Sequence, residues 1–253
     1  MTLQELTYLV VDTETTGLDP QACRVVSVAG VWVRPGQGLL RRECFLVDPG
    51  VPIPPEASAV HHITDRHVRN APPLAKVLPT FQGADFDAYV AHNAAFDFGF
   101  LPAAGRPVLC TLRLAKKLWP GLPRHGNQYL RYALNLEVPE AEGLPAHEAL
   151  ADALVTAHLL LNELEAIRTQ SVPGLPPLET LHDLIAWADA PNLLGVCQFG
   201  NKHRGTPWSQ VPKDYLQWMK REVRDMDPDT RYTVEYYLRQ DLPANPRPLL
   251  PGR

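Results

Sequence analysis

The opening 47 residues carry three short β-branched or apolar runs, Thr7–Thr13, Val25–Val33 and Glu43–Val47, and the links between them are too short for a crossover helix. Parallel neighbours in a sheet need a connection of a dozen or more residues, normally helical. The second and third runs are joined by Arg34-Pro-Gly-Gln-Gly38, a turn signal. The three runs are therefore expected to pair as an antiparallel meander. Beyond Pro52–Pro55 the pattern alternates: a brief strand at Ala88–Ala91, a helix over Ala94–Ala104 and a last strand at Val108–Thr111. Helices follow near Leu112–Leu118, Gln128–Leu134 and Glu148–Ile167. A meander followed by alternating α and β implies an α/β fold, a mixed β-sheet flanked by helices.

With 253 residues, 45% of them hydrophobic and 21% charged, the chain has enough apolar material for one domain and a smaller companion, and wholesale disorder is excluded. No apolar run approaches the ~20 residues of a membrane span, and Met1–Thr7 is unlike a secretory leader. A cytoplasmic protein with no membrane partner is expected. Cys23, Cys44, Cys110 and Cys197 are widely spaced with no CxxC pair, so buried free thiols are expected rather than disulfides or zinc.

The charge is unevenly spread. Residues 1–198 hold 14 Lys/Arg against 21 Asp/Glu, a net of −7, whereas residues 199–240 hold 8 against 6, a net of +2, together with 7 of the 20 aromatics. Such a shift marks a boundary. The sequence reads as a main domain over 1–170, a linker and helix over 171–198, a small mainly helical C-terminal module over 199–241, and a flexible tail over 242–253. The join falls at Ser171–Pro177, where turn formers interrupt the periodicity.

Chemistry enters at Val10-Val-Asp-Thr-Glu-Thr-Thr-Gly-Leu18. Alternate residues of a strand share a face, so Asp12 and Glu14 stand side by side at its end. Carboxylates that close repel, which raises a pKa unless a cation neutralises them; hard oxygen ligands select Mg²⁺ or Mn²⁺. Alone, Asp-x-Glu carries little weight and equally describes a solvated strand end. Two further motifs add to it. Val90-Ala-His-Asn-Ala-Ala-Phe-Asp97 puts an acid just inside a helix that follows a strand, and Pro145-Ala-His-Glu-Ala-Leu-Ala-Asp152 opens a long helix. Residues five apart on one helix are separated by about 140°, so His147 and Asp152 can share a site only if His147 lies in the loop before the helix.

Together, Asp12-x-Glu14, Asp97 and His147-x4-Asp152 resemble the three motifs of the DEDDh, DnaQ-like family of 3′→5′ exonucleases, over about residues 5–165. Pro55-Glu-Ala-Ser-Ala-Val-His61-His-Ile-Thr64 is similar to the family's PEAxxVHGIT segment, with His62 in place of the usual Gly. The resemblance implies a ribonuclease H-like fold and a metal-dependent exodeoxyribonuclease. It implies that Asp12, Glu14, Asp97 and Asp152 hold two Mg²⁺ or Mn²⁺ ions and that His147 is the general base. It also implies that Thr15, Thr16, Leu18, Glu56, His61 and Asn93 meet the substrate, a DNA 3′ end or single strand, in repair or turnover. RNA 3′-end trimming and polymerase-associated proofreading use the same chemistry and stay open. A catalytically silent binding module is disfavoured because all five catalytic positions are filled.

The C-terminal module adds Phe199-Gly-Asn-Lys-His-Arg-Gly205, Val211-Pro-x-x-Tyr-Leu-x-Trp218 and Met226-Asp-Pro-Asp-x-Arg231, which look like the matching segments of exonuclease X-type proteins, with Asn201 as an insertion. Here Tyr215, Trp218, Tyr232 and Tyr236 are expected to form a small core. Lys202, His203, Arg204 and Trp208 are expected to form a loop that grips phosphate and stacks a base. The same surface leaves room for a protein partner.

Overall fold

The computed structural model describes residues 2–169 and 175–240. The tail over 242–253 and part of the Ser171–Pro177 join lie outside them. Strands β1 (Tyr8–Thr15), β2 (Val25–Arg34) and β3 (Gly38–Leu46) pair as the expected antiparallel meander. Short helices α1 (Pro55–His61), α2 (Asp65–Val68) and α3 (Leu74–Val77) lead to β4 (Ala88–Ala91), α4 (Ala94–Phe100) and β5 (Val108–Cys110). Both β4 and β5 run parallel to β1, giving one five-stranded mixed sheet in the order β3-β2-β1-β4-β5.

Two boundaries differ from the sequence reading by more than two residues, each for a local reason. Helix α4 stops at Phe100, not Ala104, because Pro102 pushes Leu101 out of the helical region, and Leu101 is extended at ψ 134°. Strand β3 begins at Gly38, five residues early. As an edge strand it is largely exposed, so it lacks the buried apolar alternation that marks a strand in sequence.

Helices α5 (Thr111–Leu118) and α6 (Asn127–Ala133) precede the long α7 (Ala149–Arg168), which packs on β1 and β2 and also against α5 and α6. A helix covered on several sides cannot be amphipathic, and α7 is buried at Ala149, Ala153, Leu154, Val155, Ala157, Leu160 and Leu164 among others. Its alanines allow the backbone to approach the sheet closely. On the sheet, Gly30 leaves space for Phe81: a Cβ there would come 2.6 Å from the ring, which stacks on Trp32 at 6.0 Å.

The chain divides into two compact units, Met1–Leu118 with Leu122–Asp189, and Trp119–Gly121 with Ala190–Arg253. Helix α8 (Leu181–Asp189) thus groups with the first unit, where Arg113 donates to the carbonyls of Ala188 and Asp189. The second unit contains α9 (Lys213–Glu222) and α10 (Pro228–Arg239). Its core is Cys197, Trp208, Val211, Leu216, Met219, Met226 and Val234. The cysteines correct one expectation: all four are free, but only Cys197 is buried, and Cys44 is exposed. No helix among the described residues is long and apolar enough to cross a membrane.

Glu163 on α7 is fully buried, and neither carboxylate oxygen has a hydrogen-bond partner. Burial pushes its pKa well above the usual carboxylate range. A group with a raised folded pKa contributes stability below its unfolded value, and the contribution is lost as pH climbs toward the folded one. Glu163→Met, which fills similar volume without orphan oxygens, should therefore raise stability by about 1–3 kcal/mol. Thermal melts across pH check this: the gap between variant and wild type should widen as pH rises.

Candidate active site

Strand β1 ends in the sequence Asp12-Thr-Glu-Thr15, and the strand's alternation turns Asp12 and Glu14 to one side. Asp152, in the first turn of α7, meets them there. One carboxylate oxygen from each of Asp12, Glu14 and Asp152 lies within 4.8 Å of the others. Crowding and burial act together on the protons. Burial, then the neighbouring Asp97, Asp152 and Glu14, pushes Asp12 well above the carboxylate range. Glu14 is pushed up to about 8 by burial and then by Asp152 and Asp97.

Asp97 sits in the first turn of α4, as expected, but its Oδ1 accepts from both the backbone N–H (3.0 Å) and the hydroxyl (2.9 Å) of Thr13. Asp97 therefore borders the group of three rather than joining it. Burial raises its pKa to about 7, and the Thr13 hydrogen bonds work against that rise. His147 lies in the loop before α7, two residues ahead of Ala149, in the left-handed region at φ 61°. That placement is the one the spacing requires. Its backbone N–H donates to Asp152 Oδ2 at 3.1 Å, which ties the loop to the acid.

The structure adds residues that sequence reasoning missed. Gln128 on α6 donates to Asp152 Oδ1 at 2.6 Å, and the neighbouring Asn127 donates to the Asp152 carbonyl at 3.0 Å. Nothing in sequence marks a glutamine 24 residues away as a partner of Asp152. Thr13 was within the quoted motif, yet its hydroxyl was not singled out. His92 also acts as a clamp: its two ring nitrogens meet the Thr111 hydroxyl at 2.9 Å and the His125 carbonyl at 2.8 Å. Burial lowers its pKa to about 4, so the ring is neutral.

The remaining expected substrate residues fall into two groups. Leu18 is 83% exposed, and Asn93 and Glu56 are also exposed. Thr15, Thr16 and His61 are buried. Thr15 donates to the Gly17 carbonyl at 2.6 Å, and Thr16 Oγ1 accepts from the Arg24 N–H at 3.0 Å, so the turn is held internally. Space at Gly17 is tight: a Cβ would come 2.7 Å from Cys23 Sγ, so that thiol would have to move. His61 Nδ1 accepts from the Ile63 N–H, and its Nε2 has no hydrogen-bond partner. Burial lowers its pKa, opposed by the nearby Thr15 backbone.

Two expectations about the second unit are corrected. Trp208 is 1% exposed and central to the core, so it offers no face to a base. Trp218 and Tyr232, expected in the core, are 41% and 43% exposed; Leu216 and Met219 take the inward face of α9 instead. Lys202 and Arg204 are exposed and His203 is half-buried.

Comparison with known proteins supplies the remaining evidence. The RNase T-type family model, described as an exonuclease, matches residues 9–160. Exodeoxyribonuclease 10 of Escherichia coli K12 is 34% identical over 232 residues, covering 90% of this chain and 97% of that protein. The PolC-type DNA polymerase III of Streptococcus suis is 36% identical over 197 residues, covering 73% of this chain but 13% of the polymerase. A solved structure of exonuclease X in complex with 5′ overhanging duplex DNA aligns with a TM-score of 0.61 at 33% identity, over 72% of this chain and 99% of that one. Escherichia coli exonuclease I with a dA16 oligonucleotide shares the fold, with a TM-score of 0.53 at 20% identity over 66% of this chain and 42% of that one. A family model over more than half of the chain and a relative matched along nearly its whole length lead to one conclusion: the chain belongs to the DnaQ-like family of 3′→5′ exonucleases, of exonuclease X type.

Proposed function

We propose that this protein is a metal-dependent 3′→5′ exodeoxyribonuclease that works in the cytoplasm on DNA ends or single strands, in repair or turnover. The observation that carries the reading is the meeting of Asp12, Glu14 and Asp152 within 4.8 Å, with Asp97 alongside. The extent of the match favours this reading over polymerase-associated proofreading: it covers 90% of this chain for the exodeoxyribonuclease and 73% for the polymerase. The four free cysteines agree with a reducing compartment.

The donor set fits hard divalent cations: carboxylate oxygens only, crowded enough that protons or metal must neutralise them. Asp12, Glu14, Asp97 and Asp152 would hold two Mg²⁺ or Mn²⁺ ions, which when bound activate water and stabilise the leaving 3′-oxygen. The chain's own residues do the positioning. Gln128 and the His147 N–H fix both oxygens of Asp152, and Thr13 fixes Asp97. The His147 imidazole takes the proton of the attacking water. The water oxygen bonds to the terminal phosphorus, the bond to the preceding 3′-oxygen breaks, and that oxygen takes a proton from solvent, so a 5′-mononucleotide leaves and a new 3′-hydroxyl remains. Leu18, Asn93 and Glu56, all exposed, would face the terminal nucleotide, and the buried Thr15, Thr16 and His61 would shape the turn beneath it.

On this reading 5′-labelled single-stranded DNA should shorten to a ladder, EDTA should stop it, and Mg²⁺ or Mn²⁺ should restore it. Asp12→Ala should abolish the ladder while leaving the melting transition cooperative. Cleavage of circular single strands at a comparable rate would exclude an exonuclease.

His147→Ala should cost about 10²–10⁴-fold in rate, the usual scale of general-base catalysis. Metal binding should persist in the variant, measured by Mn²⁺ titration. A variant that keeps the wild-type rate would remove His147 from the proton transfer.

The carboxylate group also makes metal and stability depend on pH together. Glu14 rises from 4.5 to about 8 on folding, so its contribution is stabilising below about 4.5 and is lost as pH climbs through about 8. In EDTA the melting temperature should fall over that window, and Glu14→Gln should flatten part of the fall. Ions that bind the ionised site stabilise the folded state, so Mg²⁺ or Mn²⁺ should raise the melting temperature most at the alkaline end. An equal gain at both ends would contradict ligation by these acids.

A further inference from the structure

The second unit carries an exposed aromatic pair that the catalytic reading does not use. Tyr215 and Trp218 lie one turn apart on α9, their rings stacked at 5.3 Å between centroids and 28° between planes. Leu216 and Met219 hold the inward face of the same helix, which leaves Trp218 41% exposed. Tyr215 has a cation and an imidazole beside it: the Lys202 ammonium lies 5.9 Å from the ring centroid, and the His203 ring meets Tyr215 edge-on at 4.5 Å.

The loop that supplies Lys202 and His203 is held, not free. Val196 and Pro207 form an antiparallel bridge, the Cys197 N–H donates to the Thr206 carbonyl, and the Gly205 N–H donates to the Cys197 carbonyl, each at 2.8 Å. Arg204 Nε closes the tip by donating to the Gly200 carbonyl at 3.0 Å. Gly200 has φ +58°, and a Cβ there would come 3.2 Å from the Tyr215 hydroxyl. Glycine thus lets the loop press against the aromatic pair, and the cation and the rings form one prepared surface.

We infer that Trp218, backed by Tyr215, whose ring has Lys202 beside it, is a binding site for single-stranded nucleic acid, taking one base on the indole and a nearby phosphate of the same strand on the ammonium. Two comparisons favour that occupant. Single exposed apolar side chains need no explanation, but a stacked pair beside a cation matches what single-strand binders use: a π-face for the base and positive charge for the backbone. A protein partner needs about 800 Å² per side, far more than two rings offer.

The inference rests on the exonuclease reading, and the test keeps the two separable. Binding of 5′-fluorescein dT20 to the full chain is followed by anisotropy in EDTA, where no cleavage competes. Trp218→Ala should weaken binding about 5- to 150-fold, the range spanned by ~1–3 kcal/mol for one base–aromatic stack. Trp218→Phe should keep most of the affinity and Trp218→Leu should not, because stacking needs a planar ring. Lys202→Ala should lower the salt slope by about 0.7, the share of one phosphate contact on a single strand. Melting curves of the three Trp218 variants check that each is folded. Wild-type affinity in Trp218→Ala, or equal binding by the Phe and Leu variants, would overturn the site. Metal-dependent hydrolysis of the p-nitrophenyl ester of thymidine 5′-monophosphate by the wild-type protein reads the catalytic group separately. Its absence would sink the nuclease reading while the dT20 measurement still judges the patch.

Discussion

The mutual repulsion of acids at the end of β1 is the constraint around which the first unit is arranged. Asp12, Glu14 and Asp152 converge, Asp97 adjoins them, and burial makes the charges of Asp12, Glu14 and Asp97 costlier than they would be in water. A relaxed chain would let such groups drift apart. Here each is carried by an element that cannot move independently: a central strand, a helix docked against it, and a long helix buried on nearly every side. The apolar contacts of β1, β2 and α7 hold together what electrostatics would separate.

Hydrogen bonds then set direction, which packing alone does not. Each oxygen of Asp152 has one donor, Gln128 or the His147 N–H, and Asp97 Oδ1 has two from Thr13. The two bonds to Asp97 also favour its charged carboxylate and so oppose the desolvation that favours the proton. Glu163, about three turns further along α7, shows what burial does without such partners. Its raised pKa has no donor to offset it.

Much of this was legible in the sequence because it rests on short-range geometry. Alternation along a strand placed Asp12 and Glu14 on one side, and Pro145 with the five-residue spacing placed His147 in a loop before α7. The meander followed from the length of its links. What escaped detection depends on contacts across the chain. Gln128 reaches Asp152 only because α6 packs on α7. Trp208 and Trp218 cannot be told apart by composition, since both are tryptophans near basic residues. Only the packing of α9 buries one and exposes the other. Edge strand β3 was read too short because exposure removed the apolar pattern that would have extended it.

Charge explains why a chain with this first unit gains from an aromatic surface elsewhere. Residues 1–198 carry a net of −7, and a polyanion approaching them is repelled until cations occupy the carboxylates. At physiological salt the Debye length is about 8 Å, so the small excess of +2 over residues 199–240 can attract a strand only at close range. Stacking does not depend on net charge and is little affected by salt. If Trp218 takes a base, its exposed indole, stacked on Tyr215 with Lys202 beside that ring, would hold a strand where the electrostatic balance of the protein does not favour it. With cations on the carboxylates, the acids would then need to act only on the terminal phosphodiester.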